Sequence, residues 1–184
     1  MKKTKTIDVI AMEHSIQVHN AVNHKYDDSL PYEYHLTFAV NIGWKFIYLI
    51  PEQDRLNVIG GIWEHDSIED AMQTFNNVKD ATNEMIAELA YACTNEKGKT
   101  RAERANHKYY EGIRNTKYAT FVKLCDRIAN IEHSLNSKHR MFDMYKKEHQ
   151  HFKNELYSDE YKDMWDYLDN IFNNDNSIII FKKN

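Results

Sequence analysis

Three features of this 184-residue chain predict an all-α fold. Five glycines and two prolines are too little punctuation for a many-turned sandwich or barrel. Apolar residues recur at helical rather than alternating spacing over most of the length. With 42% hydrophobic and 28% charged residues, the composition is that of a globular protein and not of a disordered chain. The length suits one domain over residues 1–184, large enough to bury roughly 70% of its unfolded surface without disulfides or structural metal.

In chain order, an irregular apolar stripe through Ile7, Ile10, Ile16 and Val22 predicts a first helix over residues 5–24. Asp27, Asp28 and Ser29 break it. Pro31 then suits the first turn of a second helix reaching about Val40. Phe46–Ile50 has the composition of a strand, but Pro51 and the polar residues that follow suggest instead a helix from near Glu52 through Trp63 into His65. Thr82–Cys93 is helical by spacing, Thr94–Thr100 a loop, and Arg101–Arg114 a mixed-charge helix. Residues 117–136 form the most apolar helix, carrying Phe121, Val122, Leu124, Cys125, Ile128 and Ile131. Ser158, Asp159 and Glu160 start a last helix whose Tyr161, Trp165, Leu168 and Phe172 share one face. The tail Ile178–Phe181 is a short strand or an apolar latch.

Net charge and cysteines narrow the classes. Lys and Arg number 24 against 28 Asp and Glu, a formal charge of −4. That excludes a generally basic nucleic-acid coat. Cys93 and Cys125 sit in apolar helical text without metal-ligand spacing, so both are expected as buried thiols. Asp8 and Glu13 interrupt any signal-like apolar run, and Phe46–Ile50 falls far short of the ~20 residues of a membrane span. A cytoplasmic location is the expectation.

Chemistry is expected where polar groups interrupt apolar helices. The segment Trp63–Asp70 (WEHDSIED) places His65 four residues from Glu69, and Asp66 four from Asp70, so a continuous helix would crowd them on one face. Three carboxylates and an imidazole at that density call for positive charge among them, and a divalent cation is the economical source. Asp126 is an equally costly carboxylate inside FVKLCDRIAN unless paired or bound to metal. Lys123, Asp126, Arg127 and Asn130 form a polar stripe on that helix, and His35 closes the segment PYEYH.

A histidine, a later His-Asp pair and a distant aspartate resemble the HD superfamily of metal-dependent phosphohydrolases. The longer segments resemble the hydrolase half of the RelA/SpoT enzymes: PYEYH is similar to P-Y-x-x-H, HDSIED to H-D-x-x-E-D, and FVKLCDRIAN to V-K-L-x-D-x-x-x-N. The layout is similar to the small single-domain alarmone hydrolases over residues 5–135, with residues 137–184 an added helical extension that completes the core. The resemblance implies His35, His65, Asp66 and Asp126 as ligands of one divalent ion, usually Mn2+. It implies Glu69 and Asp70 as the pair that positions and deprotonates the attacking water, and Asn130 as a substrate contact. Lys25 stands where the family has the second residue of an Arg-Lys pair that holds the base, and His24 departs from the arginine. The run Lys97, Lys99, Arg101 and Arg104 carries four cations against Glu103 and is the natural seat for substrate phosphates.

The activity so implied is removal of pyrophosphate from the 3' position of guanosine tetra- or pentaphosphate. An alternative keeps the centre and changes the substrate, to a nucleotide 5'-phosphate or the 2'-phosphate of NADPH. A third reading is an antitoxin-like module that neutralises an alarmone synthetase. The expected partner is a phosphorylated nucleotide, not a nucleic-acid polymer or a membrane; an oligomer is not indicated.

Overall fold

A computed structural model describes residues 4–27 and 29–173; the Ile178–Phe181 tail lies outside them. The helices are α1 (Ile7–Ala21), α2 (Glu33–Lys45), α3 (Arg55–Glu64), α4 (Ser67–Asp70), α5 (Phe75–Ala81), α6 (Glu84–Cys93), α7 (Arg101–Arg104), α8 (His107–Asn115), α9 (Ala119–Asn136), α10 (Met141–Leu156) and α11 (Lys162–Asn173). A two-residue antiparallel ladder, β1 (Lys25–Tyr26) with β2 (Leu30–Pro31), joins α1 to α2. The all-α class is as the composition predicts.

The core is arranged around α9. Its Phe121, Val122, Leu124, Cys125, Ile128 and Ile131 are all buried, and α2, α3, α6, α8, α10 and α11 pack around it. Helix α3 lies between α1 and α6. That approach needs a residue without a side chain: a Cβ at Gly61 would fall 2.5 Å from Leu89 Cδ1 and 2.9 Å from Leu89 Cβ. Tyr161, Trp165, Leu168 and Phe172 are buried together as the α11 stripe predicts.

Several local expectations give way. Phe46–Ile50 is not a strand; Ile47–Leu49 is a 3-10 turn closed by Leu49 N–H to Phe46 O and Ile50 N–H to Ile47 O, both 3.0 Å. Phe46 and Ile50 are buried instead as turn residues, and Pro51 ends the segment. The expected helix over Arg101–Arg114 is two. The Asn106 side chain accepts from Tyr109 N–H and donates to Glu103 O, which stops α7 and starts α8. Thr100 and Glu103 form a reciprocal cap at the start of α7. Helix α5, with its own Thr74–Asn77 cap, has too little apolar text to stand out in sequence. Helix α10 buries Phe142, Tyr145, Phe152 and Leu156 and is the main body of the expected extension. Cys93 and Cys125 are free and buried. Among the described residues no helix is long and apolar enough to cross a membrane.

Candidate metal centre

The helix that begins near Glu52 does not run through His65. It ends at Glu64, and Asp66 adopts φ −107°, ψ 0° before α4 begins. The single face on which His65, Asp66, Glu69 and Asp70 were expected is therefore broken at the His-Asp pair. One turn of spacing survives, through Asp70 N–H to Asp66 O at 2.8 Å. The break turns both members of the pair towards His35 from α2 and Asp126 from α9.

One ligand atom from each of His35, His65, Asp66 and Asp126 lies within 4.8 Å of the others. His35 Nε2 is 3.3 Å from His65 Nε2, 3.3 Å from Asp126 Oδ1 and 3.7 Å from Asp66 Oδ2. His65 Nε2 is 2.9 Å from Asp66 Oδ2 and 3.6 Å from Asp126 Oδ1. Donors about 2.1 Å from a shared ion sit roughly 3.0–3.5 Å apart, so the spacing fits a cation. The supporting bonds fit as well. His65 Nδ1 lies 2.7 Å from Ile62 O, so it carries a proton and leaves Nε2 for the cluster. Tyr32 donates its hydroxyl to Asp66 Oδ2, and Asn130 Nδ2 donates to Asp126 Oδ1 at 2.5 Å. Lys123 Nζ is 2.8 Å from Asp126 Oδ2.

The electrostatics ask for positive charge. Burial opposes ionisation of Asp126, but the Lys123 ammonium and the two imidazoles outweigh it and hold the carboxyl well below the usual range. Burial also opposes protonation of His65, and the Asp66 and Asp126 carboxylates overcome it, raising the imidazole well above its usual value. A proton drawn to a buried imidazole by two carboxylates marks a place that a divalent cation can take over. Two imidazoles and two carboxylates suit a borderline divalent metal.

A cavity of about 390 Å³ opens beside the cluster. Asp66 and Asp126 line it with Glu69 and Asp70, and so do Arg101, Arg104 and Asn130. Lys25 is exposed in β1, and Lys97 and Lys99 are exposed in the loop before α7; none of the three lines the cavity. Glu69 is held by Asn95, whose Nδ2 donates to Oε1 at 2.8 Å and whose backbone N–H donates to Oε2 at 3.1 Å. Burial, then the neighbouring Asp66 and Glu69 carboxylates, push Asp70 up to about 7. His24 stacks on Tyr32 with ring centroids 3.8 Å apart, and Tyr32 in turn stacks on His19 at 4.5 Å.

Sequence reasoning passes over several lining residues. Tyr32 lies inside PYEYH, where its hydroxyl role has no signature. Arg127 belongs to the polar stripe of α9 that the spacing exposes. Tyr145 and Glu148, on α10, belong to no motif, and only the fold brings them to the cavity.

No family model and no curated protein match the chain. Among solved structures, that of a metazoan ortholog of SpoT that hydrolyzes ppGpp is similar, with a TM-score of 0.72 at 18% sequence identity over 94% of this chain and 97% of that one. The likeness extends well past residue 135, so the helices after α9 belong to the shared architecture. The chain shares the all-α fold of that hydrolase.

Proposed function

We propose that the protein is a metal-dependent phosphohydrolase that removes pyrophosphate from the 3' position of guanosine tetra- or pentaphosphate. The observation that carries this reading is the convergence of His35, His65, Asp66 and Asp126, from three separate segments, on a point at the edge of a cation-lined cavity. The metazoan ppGpp hydrolase of similar fold supports it. His35, His65, Asp66 and Asp126 would hold one divalent ion, with Mn2+ the preferred candidate. Such an ion supplies Lewis acidity towards water and phosphoryl oxygen.

The chain's own residues do the rest. Tyr32, Asn130 and the Ile62 carbonyl fix the orientation of three of the four ligands. Glu69, anchored by Asn95, offers a positioned acceptor for the attacking water. Asp70, with its pKa near the working pH, takes the proton. Arg101 and Arg104 receive substrate phosphates, and Asn130 contacts the substrate beside Asp126. Lys25 and Lys97, exposed and outside the cavity lining, would reach the nucleotide only from outside the cavity.

The test is a metal-supplemented assay over a nucleotide panel, scored separately for phosphate and pyrophosphate. Release of pyrophosphate from a 3'-diphosphorylated guanosine is the expected result. A second reading, cleavage of another nucleotide's 5'- or 2'-phosphate, draws on the His24–Tyr32 stack, a flat ring surface where the resemblance implies arginine. Metal-loaded protein that cleaves such a nucleotide and leaves every 3'-diphosphorylated guanosine intact would replace the first reading with the second.

A further inference from the structure

Helix α10 brings a carboxylate to a wall of the cavity that already holds two arginines. Glu148 Oε1 accepts from Arg101 Nε at 2.8 Å, and Glu148 Oε2 accepts from Arg101 Nη2 at 3.3 Å and from Arg127 Nη1 at 3.1 Å. All three residues line the cavity. Burial disfavours the ionised form of Glu148, but the two guanidiniums outweigh it and keep the carboxyl below its usual range. Two guanidiniums on one carboxylate leave a net positive charge on this wall.

The two arginines differ in freedom. Arg127 is 6% exposed, stands on the long α9, and has its guanidinium against the Tyr145 and Phe152 rings at 4.4 and 4.7 Å. Its Nε is buried with no hydrogen-bond partner among the described residues. A buried, unpaired N–H on a cavity wall is costly unless an acceptor comes to it. Arg101, by contrast, has a side chain 47% exposed and stands on the four-residue α7. Rearrangement is therefore easier for Arg101 than for Arg127.

We propose that Glu148 is a built-in occupant of a second anion site: its carboxylate holds Arg101 and Arg127 in the cavity until a phosphate group of the substrate, remote from the one attacked, replaces it on Arg101. Glu148 is thus a positioning residue that tempers the site. It lowers the affinity of Arg101 for a second phosphate, because that phosphate must displace the carboxylate. This rests on the phosphohydrolase reading for the identity of the substrate, not for the existence of the anion site.

The experiment is titration calorimetry of the metal-loaded protein with guanosine 5'-diphosphate, and with guanosine as the uncharged control. Glu148→Gln keeps an acceptor for both arginines and removes the competing charge. It is expected to tighten guanosine 5'-diphosphate by about fivefold, the scale of one half-exposed charge pair, and to leave guanosine unchanged. In an Arg101→Ala background the same substitution should give no gain. Unchanged or weaker binding in Glu148→Gln, or a gain that persists without Arg101, would overturn the proposal. Should Glu148→Gln fail to fold, Glu148→Asp, which withdraws the carboxylate by one methylene, is expected to tighten binding by a smaller factor. Loss of folding in both would make Glu148 a structural ion pair and end the proposal. Tighter binding in Glu148→Gln alongside a wild type that hydrolyses no 3'-diphosphorylated guanosine would retain the anion site and sink the substrate.

Discussion

The four-donor cluster and the arginine wall share one cavity and are built on opposite plans. In the cluster, Asp66, His65 and Asp126 are each tied to a neutral partner, namely Tyr32, the Ile62 carbonyl and Asn130, with the Lys123 ammonium on Asp126 besides, so their atoms are placed before any cation arrives. On the wall, Arg101 and Arg127 are tied to a charged partner, Glu148, which competes with whatever binds there. Preorganisation would give the first region affinity for one ion. Competition would temper the affinity of the second region for anions. The difference teaches that rigid support and exchangeable support can serve one substrate from two sides.

The largest expected effect breaks the rigid region outright. A His65→Ala, Asp66→Ala double variant should drop from about one divalent ion per chain to none in elemental analysis of protein purified without chelator. Hydrolysis should vanish with it. Thermal stability should fall when the wild type is chelated, because a ligand bound only to the folded state stabilises it by mass action. An undiminished ion content in the double variant would refute the ligand assignment.

Next come the acids that are not ligands. Asp70→Asn should keep its ion while kcat against guanosine tetraphosphate falls by ~10²–10⁴, the usual contribution of a general base. Glu69→Gln should fall less, since one of the two Asn95 bonds can persist to the amide oxygen. Wild-type rates in both would leave the pair without a role in proton transfer.

The exchangeable region is expected to show a smaller and different effect. Arg101→Ala with Arg104→Ala should raise KM by about tenfold and leave kcat within about twofold, the pattern of lost ground-state binding. Lys97→Ala with Lys99→Ala serves as the comparison, and unchanged kinetics there would confine phosphate binding to α7. Equal effects of the two pairs would erase the distinction between cavity and loop.

The smallest effect concerns the ring stack behind the cluster. Burial is the main cause lowering His19 from 6.5 to about 4, so its neutral form is the one that folds. Between those values the unfolded chain binds the proton and the folded chain does not. The neutral imidazole therefore contributes its full stability above pH 6.5, and that contribution is lost as the pH falls towards 4. His19→Gln should flatten the melting temperature across this window relative to the wild type. An unaltered slope would show that His19 is not the titrating group.

The four-donor cluster was legible in sequence through the motifs that carry the family resemblance, which restrict residue type and spacing together. His35, the His65–Asp66 pair and Asp126 are polar groups set in apolar helical text, which elementary solvation makes expensive. The all-α class and the stripes of α9 and α11 were legible because burial imposes a period. What failed did so locally. Phe46–Ile50 has strand composition but no partner strand among the described residues, and α7 and α8 are separated by a single Asn106 cap that charge periodicity does not reveal. The arginine wall was half legible: Arg101 and Arg104 stood out as cations in an acidic chain, whereas Glu148 and Tyr145 reach the cavity only through the packing of α10 on α9.

The close approach at Gly61 gives the molecule a mechanical tolerance. With Leu89 Cβ only 2.9 Å from where a methyl would stand, α3 has no slack against α6, and α3 ends in the residue that precedes His65. Metal–donor distances accept only about 0.2 Å of error. The apolar core thus acts as a jig: it sets the spacing of the four donors, so a methyl group added at Gly61 should show first as poorer metal retention and only later as loss of fold.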